Sequence, residues 1–319
     1  MRADDTDLNI IRLLARDSRT HYKDIASAVG ITPNAAKSRI DKMISNGIIQ
    51  KFIVLVNPVI FGYDKECILI VKNIDKTIKE QDIFKKVSLL GDVFTSTEHL
   101  GGVVIFALYV MDITEDKIRM LTDLIKPATL EILFAAFRPP TMTINISDLE
   151  IMKCLLSNPR MLVDDIAKET SYSRRTVARR LEKMRENHVL QLFTIMPNLS
   201  SLRLTGYMEF IVIIHIRISS RQSILERIHR ELDEYLFLTA DWIHKEVIVA
   251  VFFAANISTV NLILKRLESY DEVNKVESFI TTSLRFYQDW LKSKIDKRII
   301  TQKHSSLSST IDTAAINDR

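Results

Sequence analysis

Arg174, Arg175 and Arg179 stand in a stretch whose apolar residues Val177, Leu181 and Met184 fall at i, i+4 and i+7. That spacing gathers the apolar residues on one stripe of a helix and leaves the arginines off it. A guanidinium is a planar fork of donors that matches guanine O6 and N7, or a phosphate. The chemistry on offer is therefore recognition of a nucleic acid, not bond making. Ser173, just ahead, is a natural N-cap. An amphipathic surface helix with solvated basic residues would look the same, and this stretch alone does not choose. Repetition does.

Shifted by 141 positions, much of the chain returns on itself. Asp7-Leu8-Asn9-Ile10 becomes Asp148-Leu149-Glu150-Ile151, and Asp24-Ile25-Ala26 becomes Asp165-Ile166-Ala167. Arg39, Lys42, Met43 and Asn46 recur as Arg180, Lys183, Met184 and Asn187, and Gln50 and Phe52 as Gln191 and Phe193. This is an internal duplication, and chance would not hold those identities in register.

The elements follow from periodicity. Leu8, Ile11, Leu14 and Ala15 give a first helix, and a second fits residues 22–28. Gly30 turns the chain, Thr32 caps a third helix, and Pro33 takes its first position, where a missing N–H costs nothing. Ala36, Ile40, Met43 and Ile44 are expected to face inward, with Asn46-Gly47 as the stop. The β-branched run 48–56 reads as a strand or wing, which makes a winged helix-turn-helix. Beyond Gly62-Tyr63 and Gly206-Tyr207 each half shows strand, helix, two strands, helix and strand, the pattern of a ferredoxin-like sandwich.

The expected fold is thus α+β: two winged helix-turn-helix domains, each followed by a ferredoxin-like βαββαβ domain. Their bounds read 1–62, 63–145, 146–205 and 206–295, with a Ser/Thr-rich mobile tail over 296–319.

Composition excludes several classes. A 47% apolar and 26% charged chain is globular, and a net charge of +4 is too small to argue for nucleic acid without local clustering. Cys67 and Cys154 lack a second cysteine or a histidine at metal-ligand spacing, which argues against zinc and for a reducing compartment. The apolar runs reach half a membrane span, and the first residues do not read as a signal peptide. A cytoplasmic protein with no membrane partner and no cofactor is the expectation. With seven glycines and no Gly-x-Gly, a nucleotide loop is not expected.

The chain resembles the leucine-responsive/AsnC family of archaeal and bacterial transcription regulators. The likeness rests on Asp7, Leu8, Ile11, Leu14, Asp17-Ser18-Arg19, Ile25-Ala26, Val29-Gly30-Ile31-Thr32-Pro33, Arg39, Asn46-Gly47-Ile48-Ile49, Asn57-Pro58 and Gly62. It implies a DNA-binding regulator whose second domain handles assembly and often amino-acid sensing. Two copies in one chain look like a fused pseudo-dimer, and a further homo-oligomer stays open. The second copy departs at the turn glycine (Ser171), the proline (Arg174) and the cap glycine (His188). The family's Gly-x-x-Asp effector turn is here His99-Leu100-Gly101-Gly102 and Asp241-Trp242-Ile243-His244-Lys245. The first lacks the Asp and the second the Gly, so no effector residues are assigned.

In a winged helix the third helix enters the major groove of double-stranded DNA. Asn34, Lys37 and Ser38 in the first copy, and Arg174, Arg175 and Arg179 in the second, are the candidate base readers. Thr32, Ser173 and Thr176, near the helix N-termini, are candidate phosphate anchors. Arg39, Lys42, Arg180 and Lys183 lie nearer the packed side, toward backbone phosphate or an internal carboxylate. A fused pair would read two unlike half-sites about 34 Å apart. Two alternatives stand beside this reading. Sirohaem decarboxylases look like this family and can be fused, with His99, His215 and His244 as the residues that could donate a proton; Phe61 stands where those enzymes carry a histidine before Gly-Tyr. An architectural protein with little sequence preference is the third class.

Overall fold

The computed structural model describes residues 4–75, 78–136, 139–204, 206–240 and 246–302. Helix α1 (Asp5–Arg16) opens on a capping box: the Asp4 carboxylate accepts from the Asp7 N–H, and Asp7 accepts from that of Asp4. Helix α2 (Tyr22–Val29) stops at Gly30, and α3 (Pro33–Ser45) starts from Thr32. The strand β1 (Ile49–Val56) follows. The first sandwich comprises β2 (Lys65–Lys72), α4 (Glu80–Val87), β3 (Asp92–His99), β4 (Val103–Val110), α5 (Glu115–Ile125) and β5 (Thr129–Ala136).

The second copy begins with α6 (Ile146–Ser157), α7 (Val163–Thr170), α8 (Arg174–Glu186) and β6 (Leu190–Pro197), then a short α9 (Leu199–Leu204). Its sandwich is β7 (Met208–Ile216), α10 (Arg221–Glu231), β8 (Leu236–Ala240), β9 (Val247–Ala254), α11 (Ile257–Glu268) and β10 (Val273–Phe286). A last helix, α12, covers 289–302.

The strand orders are β5-β2-β4-β3 and β10-β7-β9-β8, the same ferredoxin-like arrangement twice. Alternation along each strand sorts two faces. Cys67, Leu69 and Val71 pack outward with Ile83 and Leu121 from the helices. Ile68, Ile70, Ile105 and Ala107 turn the other way and meet Ile213, Val247 and Val249 of the second sheet. The two sheets therefore face each other with helices outside. β10 ties them: its first part pairs with β7, and its end pairs with β3 of the first copy. That join was not legible in the sequence, because nothing in a strand names its partner.

The wing is shared. Rather than folding into a hairpin within its own domain, β1 pairs antiparallel with β6. Ile53 stands opposite Thr194, its own repeat equivalent, so the pseudo-twofold axis crosses the ribbon at that pair. The N–H of Asn57 donates to the Val189 carbonyl at 2.8 Å, and that of Asn198 to the Ile48 carbonyl at 2.9 Å. These are the same bond made once from each copy. Each three-helix core also borrows from the other copy: Ile195 and Leu199 close the first, Val54 and Val56 the second.

Two expectations need correcting. Ile44 is 43% exposed rather than turned inward; Ala36, Ile40 and Met43 complete the apolar stripe without it. The tail expected from residue 296 starts inside α12, which buries Leu291, Ile295 and Ile299 on the second winged-helix core. A Lys153–Asp296 ion pair at 2.8 Å joins that contact. The remainder of the expected tail, 303–319, and the loop 241–245 with His244 lie outside the described residues.

Candidate nucleic-acid interface

α3 and α8 are built alike. Thr32 Oγ1 accepts from the Ala35 N–H at 3.2 Å, and Ser173 Oγ from the Thr176 N–H at 3.1 Å. Neither helix has an acidic residue in its first turn, so the positive end of its dipole faces outward unopposed. Val177, Leu181 and Met184 are buried, as are Ala36, Ile40 and Met43 in the counterpart. The opposite faces carry the expected side chains. Asn34, Lys37, Ser38 and Lys42 are exposed on α3; Arg174, Arg175, Arg179 and Lys183 are exposed on α8. Thr32 and Ser173 are exposed and Thr176 half-buried, its hydroxyl 2.9 Å from that of Ser173. Arg174 is lightly held by Asp164 at 3.1 Å, an exposed pair of little worth that a phosphate can displace.

Arg39 and Arg180 turn away from that face. Arg39 reaches Asp7 at 2.8 Å and Asp4 at 2.9 Å; Arg180 reaches Asp148 at 3.4 Å. Asp7 and Asp148 are fully buried, so each needs a cation, and the nearest is the arginine one turn into the next helix but one. Both arginines meet the internal carboxylate, one of the two roles expected for them. The Arg39 guanidinium is held above its ordinary pKa by those carboxylates, and burial pushes the Asp148 carboxyl up.

The second copy keeps its turn geometry without glycine. Ser171 has φ +60° and His188 φ +56°, where the first copy has Gly30 at +71° and Gly47 at +67°. The left-handed conformation is demanded by the helix stops, and these L-residues adopt it at a cost.

A clasp between the two winged helices was missed. Arg19 donates to the carbonyls of Pro159 at 2.6 Å and Met161 at 3.0 Å, and lies over the Phe193 ring at 5.3 Å. Its equivalent Arg160 donates to the Thr20 carbonyl at 3.5 Å and lies over Phe52 at 5.3 Å and Tyr22 at 4.9 Å. Arg185 adds an ion pair to Asp17 at 2.6 Å. The signal was present: Arg19 and Phe52 both recur at the repeat spacing, each ring serving the other copy's arginine. What the clasp does is fix α3 and α8 relative to each other.

Of the histidines considered for catalysis, His99 and His215 sit in different surroundings. His99 is buried, 2.8 Å from Thr97 Oγ1 and edge-on to Phe279, and burial pushes its pKa down to about 4. His215 sits on β7, 3.0 Å from Glu277. The β3–β4 turn is made by Gly101 and Gly102, both at positive φ. Buried Cys67 and Cys154 are free thiols whose pKa burial pushes up to about 12 and about 11. Among the described residues no helix is long and apolar enough to cross a membrane.

Comparison with known proteins agrees with this geometry. A winged helix-turn-helix DNA-binding family model matches residues 4–50 and again 144–191. An uncharacterized HTH-type transcriptional regulator of Pyrococcus furiosus is 30% identical over 120 residues, covering 38% of this chain and 77% of that protein. The regulatory protein AsnC of Haemophilus influenzae is 33% identical over 89 residues, 26% of this chain and 59% of AsnC. Among solved structures, the siroheme decarboxylase NirDL aligns with a TM-score of 0.49 at 14% identity, over 94% of this chain and 99% of that one. The AsnC of E. coli aligns at 0.33 and 21% identity, over 44% and 94%.

Proposed function

Since the chain belongs to the leucine-responsive/AsnC family of HTH-type transcription regulators, we propose that it reads double-stranded DNA as a one-chain pseudo-dimer. α3 and α8 enter successive major grooves, roughly 34 Å apart, and each addresses a different half-site. The observation that carries this reading is the exposed triad Arg174, Arg175 and Arg179 on α8, facing away from the core that Val177, Leu181 and Met184 anchor. Asn34, Lys37 and Ser38 occupy the corresponding face of α3, and asparagine there suits adenine where arginine suits guanine. Thr32, Ser173, Thr176, Lys42 and Lys183 serve phosphates, which set register without reading sequence. The shared ribbon and the reciprocal arginine clasp support a fixed spacing between the two half-sites.

On this reading the chain is a cytoplasmic regulator and not an enzyme, and no ligand is assigned to the degenerate effector turns. The test is selection of bound duplexes from a random pool, followed by fluorescence anisotropy on the selected site. Two dissimilar half-sites are expected, and a perfect palindrome would count against the proposal. The R174A/R175A/R179A variant is expected to weaken binding about 100-fold or more. It should also relax base preference in the second half-site, whereas K42A/K183A, at the phosphate positions, should flatten the slope of log affinity against log salt by up to ~1.8. Unchanged retention on duplex DNA would end the reading.

A further inference from the structure

Between the facing sheets, and under the β1–β6 ribbon, lies a cavity of about 210 Å³. Both copies wall it: Ile68 and Ala107 from the first sheet, Ile211 and Val251 from the second, Ile53 and Leu192 from the ribbon. Among the described residues no lysine, arginine or histidine lines it. Glu66 and Glu209 do, but neither waits for a partner. Glu209 meets the Thr281 hydroxyl and the charge of Arg203, and Glu66 is engaged as well. The group that stands out is Thr194. It lines the cavity from the pseudo-axis at 6% exposure, and its buried hydroxyl has no hydrogen-bond partner among the described residues.

The duplication supplies an internal control. Thr194 is the repeat equivalent of Ile53, which stands directly opposite it on the ribbon and lines the same cavity. The fold therefore accepts pure hydrocarbon at that place, and in the first copy it has it. A threonine hydroxyl gives up its hydrogen bonds to water on burial, so an unmet one is a liability that isoleucine avoids. Ala107 breaks the symmetry too. It pairs with Ile68 as Val251 pairs with Ile211, and the smaller side chain leaves room on the first-copy wall. One copy thus contributes the space and the other the hydroxyl.

The lining defines the occupant. Water fills the space poorly, because each molecule asks for two to four polar partners and most of the wall is hydrocarbon. An anion or a zwitterionic amino acid would bring a carboxylate with no cation on the wall to meet it. The volume exceeds the roughly 150 Å³ apolar cavity that accepts a benzene ring. We propose that this cavity binds a small neutral aromatic molecule with one hydrogen-bonding group, a phenol or an indole. Its hydroxyl or N–H meets Thr194 Oγ1, and its ring lies against the isoleucine walls.

This site is independent of the DNA reading, and the test uses no DNA. The full chain is titrated by calorimetry at neutral pH with phenol and with toluene, which differ only in a hydroxyl against a methyl. Both are expected to bind at millimolar concentration or below. Thr194→Val keeps the shape and removes the hydroxyl. It should shift the phenol-to-toluene affinity ratio about 3- to 10-fold toward toluene, the worth of one neutral hydrogen bond. The ligand-free melting temperature of that variant should not fall, because the hydroxyl had no partner to lose. Ala107→Leu, which narrows the cavity, should abolish binding of both while far-UV circular dichroism stays unchanged; should it fail to fold, the Thr194→Val ratio alone decides. Absence of binding at millimolar concentration, an unchanged ratio in Thr194→Val, or a lower melting temperature of that variant would overturn the proposal. So would binding that survives Ala107→Leu, since the ligand would then sit elsewhere.

Discussion

The two winged helices are the same design carried out with different chemistry. In the first, glycine takes both left-handed positions, two acids hold Arg39, and the groove-facing side chains are Asn34, Lys37 and Ser38. In the second, Ser171 and His188 take the left-handed positions, Asn145 replaces the outer acid, and Arg180 reaches Asp148 at 3.4 Å rather than 2.8 Å. The first copy is thus better fitted to its fold, the second to a polyanion. A duplication inside one chain frees the copies to diverge in this way, because a true homodimer must use one sequence for both half-sites.

The largest effect expected from this contrast is at the buried acids. Asp7→Ala should destabilise the chain by about 3 kcal/mol, since it removes half of a capping box and the buried one of the two carboxylates that hold Arg39, leaving only the exposed Asp4. Asp148→Ala, with the looser pair, should cost about half of that. Urea unfolding of both variants decides it, and equal losses would remove the asymmetry.

Next comes the inter-sheet acid of the second copy. Because the folded Glu209 keeps its proton to about 7 while an unfolded glutamate releases it near 4.5, the folded state binds more protons in that window. Stability from this group is therefore full below pH 4.5 and is lost as pH rises toward 7. Glu209→Gln should be neutral at pH 4 and stabilising by up to about 3 kcal/mol at pH 8. A pH-independent difference would contradict it.

The smallest effects belong to the helix stops. Ser171→Gly and His188→Gly should each stabilise by about 1 kcal/mol, while Gly30→Ala and Gly47→Ala should each cost about as much. Thermal melts of the four variants sharpen the comparison, and a stabilising Gly30→Ala would break it.

Much of the site was legible in the sequence. Helical spacing placed Val177, Leu181 and Met184 inward and the three arginines outward, because a helix has one period and one apolar stripe suffices to orient it. It could not separate a phosphate partner from an internal one for Arg39 and Arg180, since both roles ask for a cation on the same flank. Nor could it show the Arg19–Phe193 and Arg160–Phe52 clasp, although all four residues were visible as repeats. Ile44 misled for the converse reason: its spacing fits the stripe, but the stripe was already full.

By itself, the sequence determined the duplication, the order of elements and the outward face of each recognition helix, since these depend on local periodicity and capping. Only the tertiary structure decided that β1 pairs with β6, that β10 bridges two sheets, and that Glu66 and Glu209 meet one cavity. Those facts rest on which strands find each other across more than a hundred residues, and backbone hydrogen bonds carry no label of their partner.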